Sequence, residues 1–494
     1  LNPIKKLASQ TAVYGLSSIL GRFLNYLLVP IYTYSLKTGQ YGVISEFYAY
    51  TGFLGVVLVL GFETGYFRFS QDESQKEKVY TTALNFVTLF NLFFAGLIVI
   101  FVTPLANALH YADHHEYFYW FAAILAFDAI SNMPFARLRA ENKAVHFAGI
   151  KIAEIAITIF LNIFFIIFCK SAYEHNPDSA LGKLYNPQIG VGYVFISNLV
   201  ASFLKWLMLL PQMKEIGRGL DRKLLIKMFN YSFPMVIIGF AGIINEMLDR
   251  AILKFYLPYD IATNMQQLGI YGACYKLSLL MTLFIQAFRY AAEPFFFAHA
   301  RENNSKEIYA EVMKYFIIVC AGIFLLVMLY LDLFKYFIGK DFRVGLKVVP
   351  ILLLANLCLG AYVNLSIWYK LTDKTWMGAI VSIIGAVITV VLNVIFIPEY
   401  GYMASAWATL ACYGSMALIS YILGQKYYPV NYNVDKIGAY ILFAMALWLI
   451  NSSINWLVPV AQHFWWLTAT LLMGIYLMVF WMMDGKRLRG LVVT

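Results

Sequence analysis

Long apolar runs, broken by short clusters of Lys, Arg, Pro and Gly, fill almost the whole chain. Each run is close to the roughly 20 residues that an α-helix needs to cross a bilayer. The pattern predicts about fourteen spanning helices, near residues 8–34, 41–67, 80–103, 117–138, 144–168, 189–213, 230–256, 268–298, 308–331, 346–369, 375–397, 402–424, 437–456 and 463–483. The connections are too short to form a soluble domain. The reading is an all-α integral membrane protein.

Composition agrees: of 494 residues 61% are hydrophobic and 13% charged, with a mean hydropathy of +0.68. Little chain remains for an ATPase module, and no Gly-x-x-x-x-Gly-Lys-[Ser/Thr] loop is present to cradle a nucleotide. No cofactor is expected. A formal charge of +10 raises nucleic acid as a partner, but the distribution of the bases gives a different reason for it. With the amino end cytoplasmic, most Lys and Arg fall in the even-numbered turns and at the two ends, as the positive-inside rule requires. The exceptions are Lys37, Lys170, Lys183, Lys254, Lys335, Lys340, Arg343 and Lys347. No nucleic-acid partner is expected, and both termini are placed inside. Four of the exceptions share residues 335–347, which reads as an outer amphipathic helix. Cys169, Cys274, Cys320, Cys358 and Cys412 are scattered without paired spacing, so they read as packing residues. The first apolar run lacks a small-residue cleavage site and reads as a spanning helix.

An internal repeat then sets the architecture. Lys143, Thr158, Leu161, Asn162 and Phe165 recur as Lys374, Thr389, Leu392, Asn393 and Phe396, all at an offset of 231. Pro187 and Gly190 recur as Pro398 and Gly401, at an offset of 211, so the first copy carries an outer insertion near 169–188. Gln40-Tyr41-Gly42 answers Gln267-Leu268-Gly269. The expected plan is an N-lobe of six helices over 1–220, a C-lobe of six over 221–425, and two further helices over 426–494. Both copies begin inside, which makes the repeat parallel, about an axis along the membrane normal.

A charge inside the bilayer needs a partner, an exit to water or a function. Lys151 with Glu154, Glu246 with Arg250, and Arg289 with Glu293 have the helical spacing to pair locally. Lys205 sits near the cytoplasmic end of its helix and is expected to snorkel. Arg22, Asp128 and Lys276 have no intrahelical partner of opposite charge. Arg22, with Asn25 a turn on, and Lys276 suit a phosphate-bearing substrate, one by a bidentate fork and the other as a point charge. Asp128 is the candidate for ion coupling, with a bridge to Arg22 as its plain structural alternative. Glu63, set between Gly61 and Gly65, is a second acidic candidate, although its small-xxx-small setting favours helix packing. His110, His114 and His115 crowd an outer loop without firm metal-site spacing.

These residues carry a resemblance. Gly21-Arg22, the run Gly-Phe-Glu-Thr-Gly-Tyr-Phe-Arg at 61–68, Tyr275-Lys276, Phe288-Arg289, Glu293-Pro294-Phe295 and the paired Asn-x-x-Phe…Pro-x-x-Gly segments resemble the polysaccharide transporters of the multidrug/oligosaccharidyl-lipid/polysaccharide exporter superfamily. The resemblance implies two six-helix lobes in a V. It also implies a flippase, of the O-antigen or capsule type, for undecaprenyl-pyrophosphate-linked oligosaccharide in the bacterial inner membrane. A cationic cavity would correspond to Arg22, Lys276 and Arg289. The expected partners are the lipid-linked oligosaccharide and membrane lipids, with a polysaccharide polymerase and glycosyltransferases nearby. Lipid II flippases are similar too, but their first helix carries further basic residues and an acidic one that this chain lacks. A multidrug antiporter would favour an acidic cavity. An enzyme is not expected, since no large outer loop is available to hold catalytic residues.

Overall fold

A computed structural model describes residues 19–72, 74–214, 219–299, 304–457 and 464–485, apart from the side chains of Ala291, Glu293, Pro294, Ala298 and Gly485. The described chain is all-helical. Its main helices are α1 (19–26), α2 (Leu28–Ser35), α3 (Thr38–Val59), α4 (Phe62–Phe69), α5 (Lys76–Ile100), α6 (Val102–Ala108), α7 (His115–Ala140), α8 (Ala144–Ile163), α9 (Lys170–His175) and α10 (Gly192–Leu209). They continue as α11 (Arg222–Tyr256), α12 (Ile261–His299), α13 (Ser305–Leu329), α14 (Leu331–Phe334), α15 (Val349–Leu365), α16 (Ile367–Leu371), α17 (Thr375–Tyr400), α18 (Tyr402–Tyr427), α19 (Val434–Leu457) and α20 (Trp465–Phe480).

Among the described residues, 13 helical stretches are long and apolar enough to cross a membrane, from Thr38–Phe69 to Trp465–Asp484. The first expected helix is described only from residue 19, so the rest of it lies outside the described residues, as does the expected Arg289–Glu293 pair. The observed helices run a few residues past the apolar runs into polar turns, because hydrophobicity marks the bilayer and not the last hydrogen bond. The expected outer helix at 335–347 is instead two 3₁₀ segments, Lys335–Phe337 and Lys340–Val348, the second running directly into α15. The insertion near 169–188 follows a π-helical stretch, Phe164–Cys169, and is tied down where Lys170 Nζ donates to the Ser35 carbonyl at 2.6 Å.

The described residues form two compact units. Residues up to Ala273 together with Ala386–Ser405 make the first, and Cys274–Gly385 with the residues from Ala406 onward make the second. In the first unit α3 stops at two left-handed residues, Leu60 (φ 53°) and Gly61 (φ 65°), and restarts as α4. Asn91 of α5 donates its amide to the Leu58 carbonyl near the break, at 3.0 Å, so a carbonyl near the end of α3 is satisfied without water. A Cβ added at Gly61 would meet the Ser232 carbonyl at 3.0 Å. The break is therefore clamped by α11. α3 also crosses the start of α12 at glycine: a Cβ on Gly42 would run into the Met265 carbonyl oxygen, and one on Gly269 into that of Thr38. Only two hydrogens fit there.

In the second unit α19 and α20 pack on α13. Tyr476 donates to the Ile318 carbonyl at 2.7 Å, and the buried Asp484 accepts from Lys314 at 3.1 Å and from Tyr440 at 2.9 Å. Their remaining faces carry exposed Leu442, Leu449, Trp456, Leu471 and Met478, as expected of helices that meet lipid.

The recurring residues also recur in local structure. Asn142 and Asp373 are both left-handed (φ 58° and 57°). The next residue closes the helix end in both places: Lys143 N–H donates to the Leu138 carbonyl at 2.9 Å, and Lys374 N–H to that of Tyr369 at 2.8 Å. Gly190 and Gly401 are likewise left-handed (φ 51° and 60°). Asn162 and Asn393 are fully buried, and each donates its amide to the Thr four residues back, at 2.8 Å. Each accepts a hydroxyl in return, from Tyr32 at 3.0 Å and from Ser405 at 2.8 Å.

Candidate functional site

Arg22 and Asn25 lie in the first unit, on α1. Gly21 turns its bare face to Ile155 of α8, where a Cβ would sit 2.8 Å from the Ile155 side chain, while Arg22 and Asn25 are exposed. Arg22 makes no ion pair among the described residues. An exposed guanidinium with an exposed Asn a turn on, on a helix whose other residues are largely apolar, suits a water-filled path better than lipid. Lys276 and Arg289 belong to the second unit, on α12. Lys276 is half-buried beside the buried Tyr275. Arg289 is exposed and shares a narrow cleft with Phe288, Phe296, Ser366 and Lys370, so two basic groups line one opening.

Asp128 is not bridged to Arg22. It accepts from Lys205 Nζ at 2.6 Å, and the same ammonium reaches Glu154 at 2.7 Å. Lys205 therefore does not snorkel: its side chain is only 3% exposed. Glu154 also takes Lys151 at 3.2 Å, so the expected local pair forms but is half of a larger network. Helices α7, α8 and α10 are joined through two ammonium groups and two carboxylates whose formal charges cancel. Burial of this kind is tolerated because every charge has a partner. Asp128 is the most open of the four, at 39%.

Glu63, in the first turn of α4, is ion-paired with Arg139 of α7. The adjacent Arg137 binds Glu77 at 3.0 Å and Glu141 at 2.8 Å and stacks on Tyr80. Beyond the membrane-spanning stretch, burial acts to raise the Glu141 carboxyl, but hydrogen bonds from Lys143 and Arg137 outweigh it and hold it below its ordinary range. Glu63 thus sits in a basic cluster at the end of α7 and not alone between glycines.

Two buried clusters escaped the sequence reading. Lys254, placed there among the outer bases, is 1% exposed and contacts both carboxylate oxygens of Glu46 at 3.3 Å, with Glu46 at 0%. Tyr50 and Tyr111 donate to the same carboxylate at 2.6 and 2.5 Å, and Lys254 donates to the Leu109 carbonyl. Burial, then the Glu46 charge, holds the Tyr111 hydroxyl well above its ordinary pKa, so it stays a donor. The signal was an acidic residue in the apolar run 41–67 with no intrahelical base. The second cluster corrects the expected Glu246–Arg250 pair. Arg250 binds the Asp249 carboxylate through Nε at 3.3 Å and takes only the main-chain carbonyl of Glu246, while Tyr271 donates to Asp249.

His114 pairs with Glu116 at 2.8 Å and stacks on Tyr117. Among the described residues no group of three or more His, Cys, Asp or Glu is arranged to hold a metal ion. All five cysteines are free.

The fold is shared with multispanning membrane proteins of known structure. It is similar to a lipid II flippase, MurJ, in an inward closed conformation (TM-score 0.72, 15% identity, covering 96% of this chain and 98% of that one). It is also similar to an inward-facing multidrug resistance MATE transporter of the MOP superfamily (TM-score 0.63, 12% identity, 88% and 98%). The chain belongs to the family described as polysaccharide biosynthesis protein, whose pattern it matches over residues 7–298. Among curated proteins it is similar to the probable low-salt glycan biosynthesis flippase Agl15 of Haloferax volcanii, 19% identical over 265 residues, which are 51% of this chain and 55% of the relative. The chain thus spans about half the length of that relative.

Proposed function

We propose that this protein is a flippase that moves a lipid-linked oligosaccharide across a membrane by alternating access. The observation that carries the reading is family membership over residues 7–298, and the glycan flippase similar to it supports the same class. Our specific reading is undecaprenyl-pyrophosphate-linked repeat units of the O-antigen or capsule type, in a bacterial inner membrane, with both termini cytoplasmic. A pyrophosphate cannot enter hydrocarbon unaided, because an unpaired charge in an apolar medium costs far more than transport can supply. Arg22, Asn25, Lys276 and Arg289 are proposed as its contacts, and the exposure of Arg22, Asn25 and Arg289 supports that role.

The proposed lobes are 1–220 and 221–425 with 426–494 outside the repeat, and the duplicated turns at Asn142 and Asp373 support them. Asp128 and Glu63 are proposed for coupling to an ion. Each holds a basic partner that protonation would release, biasing one arrangement of helices over another.

The test is complementation of a deletion strain, with surface polysaccharide measured and membrane expression checked. Losing a charge-assisted hydrogen bond to phosphate costs about 1.5–3 kcal/mol, or roughly a 10- to 100-fold drop in transport for Arg22→Ala and Lys276→Ala, with Arg22→Lys intermediate. Normal export by both alanine variants would reject the contact assignment. Rescue of a lipid II transport defect instead would move the substrate to the peptidoglycan precursor.

A further inference from the structure

The basic segment 335–347 borders a cavity of about 450 Å³ in the second unit, lined by Asp332, Leu333, Lys335, Tyr336, Asn455 and Trp465. Its volume is within the roughly 300–1,000 Å³ of small-molecule sites. It lies where α13 and α19 end and α20 begins, the end that the distribution of basic residues assigns to the outside.

The charges of its lining residues cancel: Lys335 Nζ is 2.5 Å from Asp332 Oδ1. Both side chains stay partly exposed, at 31% and 48%, so the ammonium keeps donors and the carboxylate keeps acceptors for a ligand. The aromatic rings are set by neighbours. Trp465 meets Tyr330 edge to face at 6.0 Å, and the Tyr330 hydroxyl bonds Thr470 at 2.8 Å. Tyr336, 59% exposed, has the Arg343 guanidinium 4.8 Å from its ring centre. Arg343 is itself fixed, donating through Nε to the carbonyls of Lys335 at 3.0 Å and Ile338 at 3.3 Å. This accounts for a basic side chain on the outer side that the sequence left without a role.

Fixed aromatic rings beside a neutral set of donors and acceptors discriminate among the parts of a glycolipid. A prenyl tail would desolvate the ion pair and give nothing back. A phosphate would meet the Asp332 carboxylate as well as Lys335. A sugar ring presents apolar C–H groups to an aromatic face and hydroxyls that both donate and accept. We propose that this cavity binds neutral sugar residues of the transported glycan at the outer end of the second unit. The proposal rests on the flippase reading and adds to it an exit-side subsite for the glycan.

The test places the photocrosslinker p-benzoyl-phenylalanine at position 336 of the full chain in its native host, with position 442 on the exposed face of α19 as control. After irradiation the protein is purified, the adduct mass is measured, and bound monosaccharides are released and identified. The expected result is a sugar-containing adduct at 336 and none at 442, reduced at least fivefold when Trp465→Ala is added. An adduct of phospholipid only, or no adduct from a chain that still exports polysaccharide, would overturn the cavity assignment and leave the flippase reading intact. If deleting the chain leaves surface polysaccharide unchanged, the flippase reading fails and the subsite fails with it.

Discussion

Replacing Lys205 by Met keeps an unbranched side chain one atom shorter and removes one charge from the network that joins α7, α8 and α10. In the native chain that ammonium lies 2.6 Å from Asp128 and 2.7 Å from Glu154. Without it, two carboxylates face each other with only Lys151, 3.2 Å from Glu154, left to balance them. Stranding a buried charge by deleting its partner costs about 3–5 kcal/mol, and the 3% exposure of Lys205 leaves little water to soften it. Asp128→Asn should cost less, about 1 kcal/mol, because Lys205 keeps Glu154 and Asp128 is 39% exposed, which screens its share of the pair. The double variant restores neutrality through the remaining Lys151–Glu154 pair. It should recover part of the loss, with a coupling energy of about 1–3 kcal/mol. The assay is reversible unfolding of the full chain in mixed micelles, run as a double-mutant cycle at one pH and ionic strength. A Lys205→Met variant that loses under about 1 kcal/mol, or strictly additive effects, would refute the account of the network as a closed set of charges.

Gly42→Ala and Gly269→Ala should each lower stability by about 1–3 kcal/mol, since a Cβ at either site runs into a backbone carbonyl of the other helix; thermal inactivation midpoints compare them with the parent. Asn162→Ala and Asn393→Ala each remove one acceptor, that of the Tyr32 hydroxyl and that of the Ser405 hydroxyl, for a loss of about 0.5–1.5 kcal/mol each, checked by the same micelle unfolding. Asp221 caps α11 and pairs with Lys78 at 2.6 Å, and the Lys78 hydrogen bond, then that of the Leu224 N–H, lowers its pKa from 3.8 to about 2. A depressed folded pKa stabilises above the unfolded value and loses that contribution as pH falls through the folded one. Asp221→Asn should therefore flatten the fall in stability between pH 3.8 and about 2, read from unfolding at stepped pH.

What was legible in the sequence depended on whether the information lay along one helix or across several. Hydrophobicity is a property of a single run, so the helices and their approximate ends could be read directly. The π-helical turn at Phe164–Cys169 and the 3₁₀ form of Lys340–Val348 were not legible, because both differ from an α-helix in backbone hydrogen bonding and not in polarity. Local spacing found the Lys151–Glu154 pair, whose partners share one helix. It failed for Lys205, Lys254 and Glu63, whose partners lie 77, 208 and 76 residues away. For those residues the sequence could state only that a charge in an apolar run requires a partner.

The repeat expected from the sequence offers a way across that gap, since it pairs positions before any contact is known. Thr38, Gly42 and Ser45 correspond to Met265, Gly269 and Gly272 at one offset, and the contacts at the crossing of α3 and α12 are reciprocal. A Cβ on Gly42 meets Met265 and Gly269, one on Gly269 meets Thr38 and Gly42, and one on Gly272 meets Ser45. Reciprocity of this kind, where i touches j′ and j touches i′, is what a twofold relation between like surfaces produces. Glycine stands at both positions because a side chain added to either helix meets the backbone of the other, which cannot move aside as a flexible side chain could. Under the alternating-access mechanism proposed above, a close contact must be able to open, and a Gly–Gly crossing has no side chains to disentangle.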